Sequence, residues 1–189
     1  MRTLLKAFIL TTVLIASGCA VSPTSKNLLS SPEQMQQWRL EGKLAIKFNG
    51  KSQSAYFQWE HHLDDYSIRL HGPLGQGGAK LEKKHKQVSL EAEGAKHTAA
   101  NAEQLMEQSL GWSFPVSDMN WWIRGLASPN TPVTSQTHDD AGNLKQLEQQ
   151  GWMIHYRKHQ PVGQLTLPYK LIASRDNIRI TLLLKKWEL

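Results

Sequence analysis

The sequence predicts a mainly β, α+β fold: a curved antiparallel half-barrel sheet with helices covering an apolar concave face. Three observations lead there. Apolar and polar residues alternate through most of the chain, as in Leu40, Gly42, Leu44, Ile46 and Phe48 against Arg39, Glu41, Lys43 and Lys47, which is the period of strands buried on one side. Between residues 101 and 126 the spacing becomes helical. The alternation then resumes, so the helices are inserted between two runs of strands, and the apolar side of the sheet is where they bury most.

The elements follow in order. Arg2 and Lys6 precede an apolar run from Ala7 to Ala16, then Ser17, Gly18 and the single cysteine, Cys19. This is the pattern of a bacterial lipoprotein signal, and it is too short for a retained spanning helix, which takes about 20 apolar residues. Residues 1–18 are read as a leader cleaved between Gly18 and Cys19, with Cys19 carrying the lipid. The alternative is an ordinary cleaved leader with a chance cysteine, since Ala16 stands where lipoprotein signals most often have leucine. By resemblance to lipoprotein signals of enteric-type bacteria, where an aspartate after the cysteine marks inner-membrane retention, Ala20 implies the outer membrane, at its periplasmic face. Residues 19–31, small, polar and broken by Pro23, read as a flexible tether in which Leu28-Leu29 is the one segment able to dock. Residues 32–189 form a single domain.

Ser31-Pro32-Glu33 marks a helix start, with serine as cap and proline at the first position. Strands follow from Trp38, turn at Asn49-Gly50, and return through Ala55, Phe57 and Trp59. After the polar turn His61–Asp65 they continue through Tyr66, Ile68 and Leu70, then through Ala79–Lys83 and Gln87–Glu93. Five consecutive strands with short connections make a meander. Asn101 caps a helix over Ala102–Leu110, with Gln104 at the capping-box position and Gly111 as the stop. Ser117 is placed to cap a second helix through Leu126, with Met119, Trp122, Ile123 and Leu126 as its apolar face. Strands resume at Lys145–Glu148, Trp152–Arg157, Gln164–Ala173 and Asn177–Trp187.

Composition narrows function. The chain has 189 residues and a formal net charge of +6, suited to anionic head groups or an acidic protein. Its basic residues are scattered, which argues against nucleic acid. One cysteine excludes an intrachain disulfide. Sequence motifs for a zinc protease, a serine hydrolase, a nucleotide loop or a redox pair are absent, so no catalytic residue, metal or cofactor is assigned. His61-His62 would point to opposite faces of a strand, and Asp64-Asp65 and Asp139-Asp140 read as turn residues. The loop His71–Gly78 carries one large apolar residue, Leu74, between Pro73 and Gly75. Either it folds back into the core or it projects as a probe for lipid or a partner. Of the seven tryptophans, Trp59, Trp152 and Trp187 read as core plugs, while Trp121 and Trp122 cannot both face inward. A cavity for acyl chains and a filled core give the same residue pattern.

Several of these residues in order resemble the LolB family of outer-membrane lipoprotein receptors. They are Trp38-Arg39 with Gly42, Phe57-Gln58-Trp59, Tyr66 leading to Pro73-Leu74-Gly75, and Pro115 leading to Trp122-Ile123-Arg124-Gly125-Leu126. Gly151-Trp152 with Tyr156 and Ile178-Arg179-Ile180 to Trp187 complete the set. Met119 stands where the family often has leucine. The resemblance implies a half-barrel over an apolar cavity that takes the acyl chains of cargo lipoproteins from the periplasmic carrier LolA and passes them to the outer membrane. It associates the loop leucine, Leu74, with membrane delivery. By face alternation the expected cavity lining is Leu44, Ile46, Phe57, Trp59, Ile68, Leu70 and Trp122. The expected partners are LolA, cargo lipoproteins and outer-membrane lipid, with no nucleic acid and the protein itself a monomer. A structural or assembly lipoprotein with a filled β core is the alternative.

Overall fold

The computed structural model describes residues 29–72 and 77–189. Gly18, Cys19 and the loop residues Pro73, Leu74 and Gly75 therefore lie outside the described residues.

Eleven strands form one open antiparallel sheet: β1 (Gln37–Phe48), β2 (Lys51–His62), β3 (Asp65–His71), β4 (Gly78–Lys84), β5 (Gln87–Ala92), β6 (Ala95–Ala99), β7 (Val133–His138), β8 (Leu144–Gln149), β9 (Trp152–Val162), β10 (Leu165–Arg175) and β11 (Ile178–Glu188). Their spatial order is β6-β5-β4-β3-β2-β1-β11-β10-β9-β8-β7. Two meanders are thus joined along their first and last strands, and β6 and β7 are the opposite edges. The segment between them has to cross the sheet, and it does so as α1 (Ala102–Leu110) and α2 (Val116–Trp122). That crossing is why the helices lie over the apolar face.

Local chemistry explains most boundaries. Asn49 and Gly50 both have positive φ (48° and 77°), as a two-residue hairpin turn requires, and Phe48 pairs with Lys51. The Asn101 side chain accepts from Gln104 N at 2.8 Å, and Gly111 closes α1 in the left-handed conformation. Gly42 sits at a β-bulge against β11, facing Phe57 on β2. A Cβ there would lie 2.1 Å from Leu183 O and 2.7 Å from the Phe57 ring, so the aromatic ring occupies the space that the missing side chain leaves.

Three expectations are corrected. The first helix start is a single 3-10 turn, Pro32–Gln34. The second helix starts at Val116 and ends at Trp122, followed by a turn in which Gly125 has φ 80°. Ser117 does not cap it; Glu103 of α1 accepts from Val116 N at 3.0 Å. Two strands are additional, β6 and β7. Both are edge strands, almost wholly exposed, so neither carries the alternation that marks a half-buried strand.

The 3-10 turn packs beside the start of β1, and Leu29 rests against the core. The opposite end of β1 holds the Asn49-Gly50 turn, and β3 ends and β4 begins at His71 and Gly78, level with Lys43 through Tyr56. Among the described residues no helix is long and apolar enough to cross a membrane.

Candidate functional site

The inner faces of β1 to β5 and β11 meet α1, α2 and the segment between the helices around a pocket lined only by apolar side chains. Leu44, Phe57, Trp59, Ile68 and Leu70 line it, and so do Met106 of α1, Trp112 and Phe114 of the connection, and Met119 of α2. The open space inside is about 50 Å³. Trp112 and Phe114 stack at 6.0 Å and close one side.

Two positions expected in the lining lie elsewhere. Ile46 is half-buried farther along β1, beside the core. Trp122 is fully buried but turned away from the pocket, since Met119 and Ile123 occupy the pocket-facing side of α2. Its indole instead donates to Gln149 Oε1 at 2.9 Å and lies 6.4 Å from the Trp152 ring.

The helices are held very differently. Gln149, completely buried on β8, accepts from Trp122 Nε1 and from Ser128 N at 3.0 Å, and donates to Ser128 O and Thr131 O, each at 2.7 Å. Tyr156 donates to Trp122 O at 3.1 Å. Arg124, just past α2, donates to Asn120 O, Pro32 O and Met35 O, and its guanidinium covers the Trp121 ring at 4.4 Å. Burial lowers this arginine to about 10, within the range where it keeps its charge. These bonds fasten α2 to β8, β9 and the first turn. By contrast, α1 packs on β5 and β6, and its side-chain hydrogen bond to the rest of the helical insert is Glu103 to Val116 N. Sequence reasoning missed Gln149 and named Arg124 only within the family motif, without a role, because a polar residue on a strand and an arginine after a helix both look solvated.

At the end near the 3-10 turn, Trp38 is packed by Trp59 at 5.5 Å, Trp187 at 5.3 Å and His61 at 5.1 Å. Burial, aided by Arg124, pulls His61 down to about 4, so the ring is neutral at physiological pH. His62 is exposed, on the other face. The acidic pairs serve turns: Asp65 accepts from His85 N at 2.7 Å, and Asp139 accepts from Ala141 N and Asn143 N. The Asn143 bonds hold Asp139 below its usual range. Among the described residues no three His, Cys, Asp or Glu side chains are placed to hold a metal.

An open antiparallel sheet crossed by two short helices over an apolar pocket defines a class, the LolA-like fold. A solved LolA superfamily protein from Nitrosomonas europaea superposes with a TM-score of 0.52 over 86% of this chain and 91% of its own, at 8% identity. Sequence relatives narrow the class. The family described as "Outer membrane lipoprotein LolB" matches residues 36–187, and the chain belongs to that family. The outer-membrane lipoprotein LolB of Pseudomonas fluorescens is 37% identical over 151 residues, covering 79% of this chain and 73% of that protein. The protein of the same name from Cellvibrio japonicus is 33% identical over 191 residues, covering 94% of each. The protein is thus an outer-membrane lipoprotein with a role in lipoprotein localisation, and not an enzyme.

Proposed function

We propose that this protein receives lipoproteins from a LolA-type carrier, holds their acyl chains between sheet and helices, and releases them into the outer membrane. The observation that carries this reading is the pocket, whose lining is apolar throughout. A lipid-sized ligand takes a cavity of about 300–1,000 Å³, far more than the 50 Å³ present, so loading requires opening. The lightly fastened α1, with Trp112 and Phe114, is the part that yields, while α2 stays on the sheet. No nucleotide is required: a tenfold preference over the donor is about 1.4 kcal/mol, roughly two extra buried methylenes at ~0.8 kcal/mol each. In this scheme residues 1–18 are removed, Cys19 carries the lipid, residues 19–31 are the tether and residues 32–189 act as a monomeric domain. Pro73-Leu74-Gly75 serves membrane delivery.

The test mixes this protein, its leader removed and Cys19 replaced by alanine, with carrier preloaded with a labelled lipoprotein. Label moving here without nucleotide supports the proposal; label staying on an active carrier refutes it. Leu74→Glu should leave acceptance intact and impair delivery to vesicles, and normal rates of both steps would remove the loop from the scheme. The small volume favours a second reading, a structural lipoprotein with a filled core. Uptake of a fluorescent fatty acid into the pocket would exclude it.

A further inference from the structure

On the sheet face turned away from the helices, charge is distributed unevenly. On β2, β3, β4 and the start of β1 the cations are matched: Arg69 with Glu60 at 3.6 Å, Lys80 with Glu82 at 3.0 Å, Arg39 with Glu41 at 3.1 Å. Over the rest of β1, and on β11, β10 and β9, most are not, the exceptions being Lys186 with Glu188 and Arg175 with Asp176. Lys43, Lys47, Arg157, Lys170, Arg179 and Lys185 all lie on this outer face, and none joins an ion pair among the described residues. Residues 1–28 and 73–76 contain no acidic side chain, so they offer no hidden partner. Glu41 and Glu188 are already engaged by Arg39 and Lys186.

The register sharpens the point. Lys47 stands directly opposite Arg179, a like-charge cross-strand pair that weakens a sheet when nothing neutralises it. Lys43 and Lys170 both pair with Leu183, from either side. Lys185 is the extra residue of the bulge beside Gly42, close to Lys43 and Tyr56, and Lys43 Nζ lies 4.6 Å from the Tyr56 ring centre. Arg157 and Arg179 both bear on His155. Half-exposed Leu183 and Ile172 and exposed Ala45 lie between these cations. A basic face with aliphatic and tyrosine patches matches a layer of anionic head groups above acyl chains.

We infer that this outer face of β1, β11, β10 and β9 docks onto the anionic bilayer surface that carries the protein. The occupant follows from charge complementarity and from the protein's place as an outer-membrane lipoprotein, which keeps a bilayer within reach of the sheet. Docked this way, the molecule turns its helical face to the periplasm. The inference rests on the family's location and not on acyl-chain transfer, so either can fail without the other.

The full lipidated chain is reconstituted in vesicles of phosphatidylethanolamine with a quarter phosphatidylglycerol. Because Cys19 is the only cysteine and its thiol is consumed by lipid, Ala45→Cys gives one labelling site on the outer face and Gln108→Cys one on exposed α1. A head-group quencher should suppress the fluorophore at 45 and spare the one at 108. Each neutralised cation should weaken docking about fivefold, so K47Q/R179Q/K185Q should weaken it about a hundredfold and relieve the quenching. Raised salt should do the same to the unmutated face, a test that needs no variant to fold. Equal quenching in the neutralised variant and in purely zwitterionic vesicles would overturn the inference. So would quenching only at 108, or a stripe whose neutralisation abolishes cross-linking to an acidic carrier while leaving the quenching unchanged.

Discussion

Gly42→Ala offers a direct test of how the two meanders are joined. The added methyl has nowhere to go: it meets the Leu183 carbonyl oxygen at 2.1 Å and two Phe57 ring atoms at 2.7 Å. The ring can tilt, but the carbonyl belongs to the β1–β11 ladder that holds the halves together. Overpacking typically costs 1–3 kcal/mol, and a clash with sheet backbone belongs at the upper end, about 3 kcal/mol. For a domain of this size each kcal/mol lowers Tm by about 2–4 °C, so the variant should melt about 6–12 °C lower, read by circular dichroism. Phe57→Leu should recover only the smaller part, because it leaves the carbonyl in place. A loss under about 2 °C, or full rescue by Phe57→Leu, would refute the reasoning.

Other expectations concern the interior. Gln149→Leu strands the Trp122 indole and the Ser128 amide without partners and should cost about 3–5 kcal/mol in urea unfolding, at ~1–3 kcal/mol for each buried group left unpaired; an unchanged midpoint would deny the network its role. His61 is held at about 4, below its unfolded value. The unfolded chain therefore binds the proton first, and stability present above about pH 6.5 should fall as pH drops toward 4. The loss should be about 2 kcal/mol, discounted because the ring is only partly enclosed, and His61→Phe should flatten that slope. Ala79→Phe places a ring at the pocket lining and should reduce uptake of a fluorescent fatty acid several-fold with the melting curve retained; undiminished uptake would put the ligand elsewhere.

The strands with one dry face were legible because Leu40, Leu44, Phe57, Trp59 and Ile180 repeat at the strand period, and burial follows that repeat. Asn101, Gly111 and Asn49-Gly50 were legible because each satisfies a local backbone requirement within a few residues. The cap of α2 was not, since Glu103 reaches it from another helix across thirteen positions. β6 and β7 were not, since an edge exposed on both faces has no period to read. Within the pocket, helix rotation decided the error: Trp122 looked inward on its hydropathy, yet Gln149 and Tyr156 draw it toward β8 and β9. Trp112 and Phe114 sit in a connection without regular spacing, where no pattern marks them.

With Cys19 as the proposed lipid anchor, the anchored end of the chain enters the sheet beside Trp38, whereas β3 ends at His71, which aligns through Tyr56 with Lys43. Five residues of β1 separate those levels, about 17 Å at 3.3 Å per residue. From Cys19 to Leu29 the chain stretches at most about 36 Å. That reach is about twice the offset, so an anchor at Cys19 is long enough in contour for either end of the sheet to meet the bilayer. Deleting six residues between Ala20 and Leu28 shortens that reach to about 14 Å, less than the offset. Such a protein would remain anchored and folded, yet its far rim would hang out of reach of the surface, and a depth-sensitive label at Gly77 should report that loss.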